Sequence, residues 1–406
     1  MDSIMKKLSF YLLTILFFSI RVNAQWVPVN NGLDNKGVFC ILIKDTNVFI
    51  GTDEGVFYSS DYGDSWSEKN SGITYPGISN LVLIGDIIFA GTFGEGVFLT
   101  TDNGNNWIAK NDSISNFSIY SMAAGGNKIF IGSLGRGIYK SLDSGNTWID
   151  ITYELSFIIH FNSLAINGNN LFVGIGGAAG VYLSTDEGNS WIPKNTGLTN
   201  LYINHIEINN DSIFIATGGG VFLSVDSGSN WSAKNSGLTD TNVHRILVYG
   251  NNIFAGTFFD GIYLSTDSGD SWSVINDGLT DKGLWIFSLA IVGDFIFAGT
   301  KVGIFRANLS DFGITDVKEQ EQKNEIKIYP NPASNEFRLK FHSPIETTVQ
   351  INIFDLLGNC VMSRTEQASE GTNEKNINCE KLPHGYYYVK ININEIVETI
   401  PLVIIK

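Results

Sequence analysis

The side chains best suited to chemistry in this 406-residue chain fall in short, glycine-flanked turns. Asp53 and Glu54, then Glu95, then Asp260 supply carboxylates; Phe93, Phe258 and Phe259 stand beside them, and Arg136 occupies an equivalent turn. A second set of turns carries His160, Tyr202 and Trp285. Two carboxylates about 5–9.5 Å apart can hydrolyse a glycosidic bond. Neighbouring aromatic rings suit sugars, which offer C–H faces to stack on and hydroxyls to bond. The candidate ligand-binding residues are therefore Glu54, Phe93, Glu95, Arg136, His160, Tyr202, Phe258, Phe259, Asp260 and Trp285. Other chemistry finds little support. His160, His205, His244, His342 and His384 lack the pair spacing of a zinc site, so no metal and no cofactor is expected. No G-x-S-x-G elbow, P-loop or dinucleotide fingerprint occurs, and no catalytic residue is assigned.

An internal repeat must position these turns. The pattern S/T-x-D-x-G-x-x-W occurs six times, at Asp61, Asp102, Asp143, Asp186, Asp226 and Asp267, in steps of 41, 41, 43, 40 and 41 residues. Its tryptophans are Trp66, Trp107, Trp148, Trp191, Trp231 and Trp272. The aspartate is expected to accept backbone N–H groups in an Asx-type turn, the glycine to adopt a left-handed conformation, and the tryptophan to plug the space between elements. The box is thus a folding device. As a calcium loop it lacks the full ligand spacing and the twelfth-position glutamate. A second element recurs seven times, as in "NVFIGT", "DIIFAGT" and "DFIFAGT". Each opens with a turn residue and runs nearly all apolar, as a strand buried on both faces would.

One repeat therefore reads as four short strands in about 40 residues, a propeller blade. The last unit stops at Phe305-Arg306 without a box, while "WVPVNNGLDN" at the start matches the segment after each box. Trp26 to Val29 are expected to supply the missing outer strand and close a seven-bladed ring. Closure removes two raw sheet edges. One unit is irregular: "WIDITYELSFIIHFNSLAI" lacks the N-x-G-L-T turn, and its partner loop "GIGGAAG" is enlarged. Both are expected on the face that carries the candidate residues.

Composition agrees with an all-β reading. Charged residues are 17% and hydrophobic residues 43%, with 43 glycines and 8 prolines, so a sizeable core and many tight turns are expected. A net charge of −15 argues against nucleic acid or an anionic membrane surface as the main partner. Lys6 and Lys7 precede an apolar run from Leu8 to Ile20, and Val22-Asn23-Ala24 offers small residues for cleavage. Residues 1–24 thus read as a secretory signal peptide, with a run too short to span a bilayer. No transmembrane segment is expected in the mature chain. Of three cysteines, Cys360 and Cys379 are candidates for a disulfide, and Cys40 reads as a buried thiol.

After the propeller at 25–312, "KEQEQKNE" marks a linker at 313–325. Residues 326–406 alternate as a small immunoglobulin-like β-sandwich, including Tyr329-Pro330-Asn331-Pro332, a D-x-x-G turn ending at Gly358, and Gly385-Tyr386.

On its six boxes, the span 25–306 resembles the Asp-box, or BNR-repeat, propellers. These include sialidases, sortilin-type receptors, xyloglucan-cleaving glycosidases and photosystem II assembly factors. The resemblance specifies a fold and leaves function open. Sialidases use an arginine triad and an F/Y-R-I-P motif, whereas Arg136, Arg245 and Arg306 here lie in no such motif. Glycosidases of this fold carry carboxylates on long loops, and these loops are short. The acidic chain also lacks the arginine-rich face an assembly factor implies. On Tyr329-Pro330-Asn331-Pro332, Gly358, Gly385 and the terminal Lys406, the tail resembles the type A C-terminal sorting domain of the Bacteroidota type IX secretion system. That resemblance implies as partners the secretion machinery and its sortase, removal of the tail, and release or attachment at the outer surface. The resulting expectation is a secreted or cell-surface propeller that binds a glycan or a surface protein. The alternatives are a glycoside hydrolase using paired carboxylates, and a passive structural repeat.

Overall fold

The computed structural model describes residues 25–34, 36–114, 117–155, 160–315, 326–343, 346–355, 358–369, 371–393 and 396–406. The expected signal peptide and most of the linker lie outside the described residues. The chain divides into two compact units, Met1–Gly313 and Ile314–Lys406.

The first unit holds seven four-stranded antiparallel sheets. Their inner strands are Val38–Lys44, Ile78–Ile84, Ile119–Gly125, Phe161–Asn167, Ile203–Asn209, Val243–Tyr249 and Ile286–Val292. Each inner strand touches that of the next blade, and the seventh touches the first, so the sheets form a closed ring. The second strands, such as Asn47–Thr52 and Phe295–Thr300, are buried along five of their six residues, as their unbroken apolar sequence requires. The core lies between blades. Phe89 of blade 2 packs with Ile119, Ile131 and Trp148 of blade 3, and this arrangement repeats around the ring. Burying one such side chain contributes roughly 1.5–3 kcal/mol.

The boxes turn between third and fourth strands. In the first, Oδ1 of Asp61 accepts the Ser65 amide at 3.0 Å and the Ser59 hydroxyl at 2.7 Å. Both Tyr62 (φ 56°) and Gly63 (φ 87°) are left-handed, so the turn needs two such residues in succession rather than the glycine alone. The indole N–H of Trp66 then donates to the Val29 carbonyl at 2.7 Å. Trp107, Trp148, Trp191, Trp231 and Trp272 reach back to the preceding outer strand or its flank in the same way, at 2.8–3.0 Å.

The seventh blade is split. Val27 and Pro28 pair antiparallel with Arg306 and Phe305 and complete its sheet. Asn30 Oδ1 accepts the Ile304 amide at 2.8 Å, as Asn70 Oδ1 accepts that of Val56 at 2.7 Å in blade 1. In the irregular blade 3, Thr152 Oγ1 takes this role from the Ile138 amide at 3.0 Å, which is why that blade dispenses with the N-x-G-L-T turn. The short helix Leu309–Phe312 ends the unit, with the Phe312 ring 5.9 Å from that of Trp26.

The second unit is a two-sheet sandwich. Lys327–Tyr329, Glu336–Ser343 and Gly371–Asn378 form one sheet. Cys360–Ala368, Thr347–Asp355, Gly385–Ile393 and Ile396–Ile404 form the other. Alternate residues such as Phe337, Leu339, Val349, Ile351, Val389 and Ile391 fill the space between them. Asn331 clamps the last strand, donating to the Pro401 carbonyl and accepting the Val403 amide, both at 2.9 Å. Asp355 accepts the Asn359 amide at 2.9 Å around the left-handed Gly358. Gly385 opens the strand that pairs with the last one, opposite Ile404.

Cys360 and Cys379, the candidate disulfide pair, are not bonded, and all three cysteines are free. Cys360 lies exposed on the outer strand of the four-stranded sheet, whereas Cys379 is buried in the sandwich core beside the other sheet.

Candidate functional site

The ring leaves a channel, and the inner strands shape its mouth by one repeated irregularity. In every blade the pairing of the first two strands skips one residue, a β-bulge. The skipped residues are Phe39, Ser79, Tyr120, Asn162, Asn204, His244 and Phe287. A bulge breaks the alternation of a strand and re-aims one side chain. All seven line a single cavity of about 690 Å³.

The two halves of that ring differ chemically. From blade 4 to blade 6 the bulge residues are polar and bond to the next blade. Asn162 Nδ2 donates to the Ile203 carbonyl at 3.0 Å, and Asn204 Nδ2 to that of Val243 at 2.7 Å. His244 Nδ1 donates to the Ile286 carbonyl at 3.1 Å. Neighbouring inner strands belong to different sheets and share no ladder, so these side chains satisfy backbone groups the fold would otherwise orphan. One residue further on, Ser121, Ser163, His205 and Arg245 act likewise, and Arg245 Nε donates to the Phe287 carbonyl at 2.6 Å.

The other half is aromatic. Phe258 stacks on Trp285 with centroids 5.4 Å apart and meets Phe259 edge-on at 4.9 Å. Phe287 follows at 6.2 Å, then Phe39 stacked on Phe287 at 5.5 Å. Phe93 contacts Phe39 at 5.2 Å, and Tyr120 links Phe93 to His160 at 6.1 and 6.3 Å. This belt runs unbroken from blade 6 to blade 4. Several members stay open to solvent, with Phe259 56% and Tyr120 37% exposed.

Charge inside the channel is sparse. Burial drives His244 down to about 3, with the Arg245 cation adding to the effect, so its imidazole is neutral. Burial holds His205 well below its ordinary range, and Arg245 and His244 reinforce it. Burial raises Glu207 to about 7, against the pull of the Val248 amide and Arg245, and pushes the Cys40 thiol up to about 12. Burial also works against the charge of Arg245, but a guanidinium stays protonated in proteins. Among the described residues no cluster of three His, Cys, Asp or Glu could hold a metal ion, and no helix is long and apolar enough to cross a membrane.

Of the residues expected from sequence, Phe93, Tyr202, Phe258 and Phe259 line the cavity, and Trp285 and His160 join it through ring contacts. Glu54, Glu95, Arg136 and Asp260 do not. Glu54 pairs with Lys36 at 2.7 Å, and Glu95 accepts the Thr74 hydroxyl. Asp260 accepts from Thr239 at 2.8 Å and from Tyr263. Arg136 sits over the Phe117 ring, 5.8 Å from its centroid. The irregular segments do meet, the Gly176 amide donating to the His160 carbonyl at 3.1 Å. Sequence reasoning missed Phe39, Tyr120, Asn162, Asn204, His244, Arg245 and Phe287. For all but Arg245, which is third in its strand, the signal is the second position of each inner strand, which varies from blade to blade while the first stays apolar.

Seven radial sheets around a channel, with the last completed from the amino end, define a seven-bladed β-propeller, and solved structures share its fold. They include the extracellular domain of a one-component system, BT4673, from B. thetaiotaomicron, at 14% identity and TM-score 0.60, covering 86% of this chain and 48% of that one. The chain thus spans about half the length of that domain. YCF48 bound to D1 peptide is similar at 15% identity and TM-score 0.59, covering 71% of this chain and 97% of that one. The GH74 xyloglucanase from Xanthomonas campestris is similar at 15% identity and TM-score 0.59, covering 79% and 60%. No curated protein matches the sequence. The carboxyl-terminal unit is more specific: residues 327–406 match the secretion system C-terminal sorting domain. This is a type IX sorting tail, and the protein is exported to the cell surface or beyond.

Proposed function

We propose that the propeller is a binding module, working at the cell surface or outside the cell, which takes a glycan or a protein segment in its channel mouth. One observation carries this reading: the cavity of about 690 Å³ faced by an aromatic belt on one side and backbone-anchored amides on the other. Its volume falls in the range of small-ligand sites, about 300–1,000 Å³. The rim carboxylates support recognition over hydrolysis, because Glu54, Glu95 and Asp260 each have a local partner and none lines the cavity. A peptide occupant is the ligand of the YCF48 propeller, whose fold is similar.

The test is binding of the purified full chain to a glycan array and to outer-membrane extracts, repeated with Phe258→Ala. Removing one stacking ring should weaken binding by about tenfold, as roughly 0.5–1.5 kcal/mol beyond lost area implies. Absence of binding, or binding indifferent to Phe258, would remove the proposal.

A further inference from the structure

We infer that the channel mouth is built for an acidic saccharide, with Arg245 as the residue that recognises its carboxylate. This rests on the binding reading above and narrows it to one ligand class.

Arg245 is the starting point. Its Nε is fixed on the Phe287 carbonyl at 2.6 Å, and its two Nη nitrogens have no protein acceptor among the described residues. No described carboxylate forms an ion pair with it. Glu207 acts on it through space only. No carboxylate lines the cavity, and the other titratable base there, His244, is neutral. In a chain of net charge −15, the mouth thus holds one cation to which no described carboxylate is bonded. A guanidinium fixed at one nitrogen offers its remaining N–H groups as a fork, and a carboxylate fits that fork in two parallel bonds.

The amides select what surrounds the carboxylate. Asn162 and Asn204 each spend Nδ2 on a neighbouring blade, which fixes their orientation and leaves Oδ1 without a protein donor among the described residues. Two pre-set acceptors call for donors, which a ring rich in hydroxyls supplies. A peptide backbone brings as many carbonyls as N–H groups, and the carbonyls would meet these acceptors unmatched. The third surface is apolar: Phe39, Phe287 and Phe258 offer ring faces to C–H groups. Hydroxyl donors, an apolar C–H face and one carboxylate on a compact body describe a sugar acid.

The experiment is titration calorimetry of the full chain with tetrasaccharides of galacturonic, glucuronic and mannuronic acid, and with 3′-sialyllactose. Each acid is run beside its methyl ester, which keeps ring and hydroxyls and removes the charge. Acidic peptides of similar length form a further arm. At least one acid should bind tenfold or more tighter than its ester, and added salt should narrow the gap. Arg245→Gln should bring acid and ester level. Because Arg245 also holds Phe287, each variant is checked by circular dichroism, while the acid–ester comparison needs no variant. Equal binding of acids and esters overturns the inference but leaves the binding module standing. Peptide binding dependent on Phe258, without saccharide binding, does the same. Failure of all these probes, with an array and extracts equally silent, removes both.

Discussion

The indole N–H of Trp26 donates to the carbonyl oxygen of Ile275 at 2.7 Å, across 249 residues of sequence. Six box tryptophans make this bond within the run of the repeat; Trp26 makes it without a box. Its side chain is 1% exposed, the burial of a core residue. Trp26→Ala should therefore behave as a core truncation and cost about 3–5 kcal/mol in urea unfolding. A loss under about 1 kcal/mol would show that the ring closes without it.

Acid should unfold the propeller through its boxes. Hydrogen bonds from the residue four places on, helped by the Ser or Thr two places before, hold Asp61, Asp102, Asp186, Asp226 and Asp267 at about 2 and lower Asp143. These depressed values stabilise the fold fully above the ordinary carboxylate range near ~4, and the benefit fades as pH falls from there towards 2. Glu207, raised to about 7 by burial, has the opposite sign and destabilises as pH rises from its ordinary value towards 7. Urea midpoints of Glu207→Gln should therefore fall once pH drops below about 6.5, where His205 and His244 stay neutral folded but charge on unfolding, and fall further below about 4 as the boxes protonate. A Glu207→Gln midpoint that is flat down to pH 2.5 would contradict the assignment.

Thiol reactivity separates the three cysteines. Exposed Cys360 should react with a disulfide reagent within minutes in the folded protein. Cys40, pushed to about 12, and buried Cys379 should wait for denaturant. Reduction should leave the intact mass unchanged. A mass gain of two hydrogens on reduction would restore the candidate bridge.

Glycines in the turns should differ by surroundings. Gly72 and Gly85 are both left-handed, at φ 92° and 55°. A Cβ on Gly72 would enter the space of the Trp107 carbonyl oxygen, whereas one on Gly85 meets nothing within 4 Å. Gly85→Ala should cost about 1–2 kcal/mol for conformation alone, and Gly72→Ala about 1–3 kcal/mol more for the clash. Equal melting temperatures would refute the distinction.

The fold was legible because its devices recur as identities. Asp61 and its five equivalents mark each third-to-fourth turn, and Trp26 announces the seventh outer strand through its neighbours Val27 to Val29. The mouth was legible only where turns carry it, at Phe93, Phe258, Phe259 and Trp285. Phe39 and Tyr120 escaped because one bulged residue reverses the parity of a strand, and Val38-Phe39-Cys40 contains no glycine or proline to mark it. The carboxylates misled for a different reason. Glu54 and Asp260 stand beside aromatics in sequence, but Lys36, Thr239 and Tyr263 engage them once the chain has folded.

At the mouth, a backbone kink and not the side chain decides which residue is presented. Seven positions, one per wedge, can thus be exchanged while the tryptophan plugs and second strands behind them stay untouched. Such a surface can be recoded by single substitutions, so descendants of one scaffold could trade one extracellular ligand for another without rebuilding a loop.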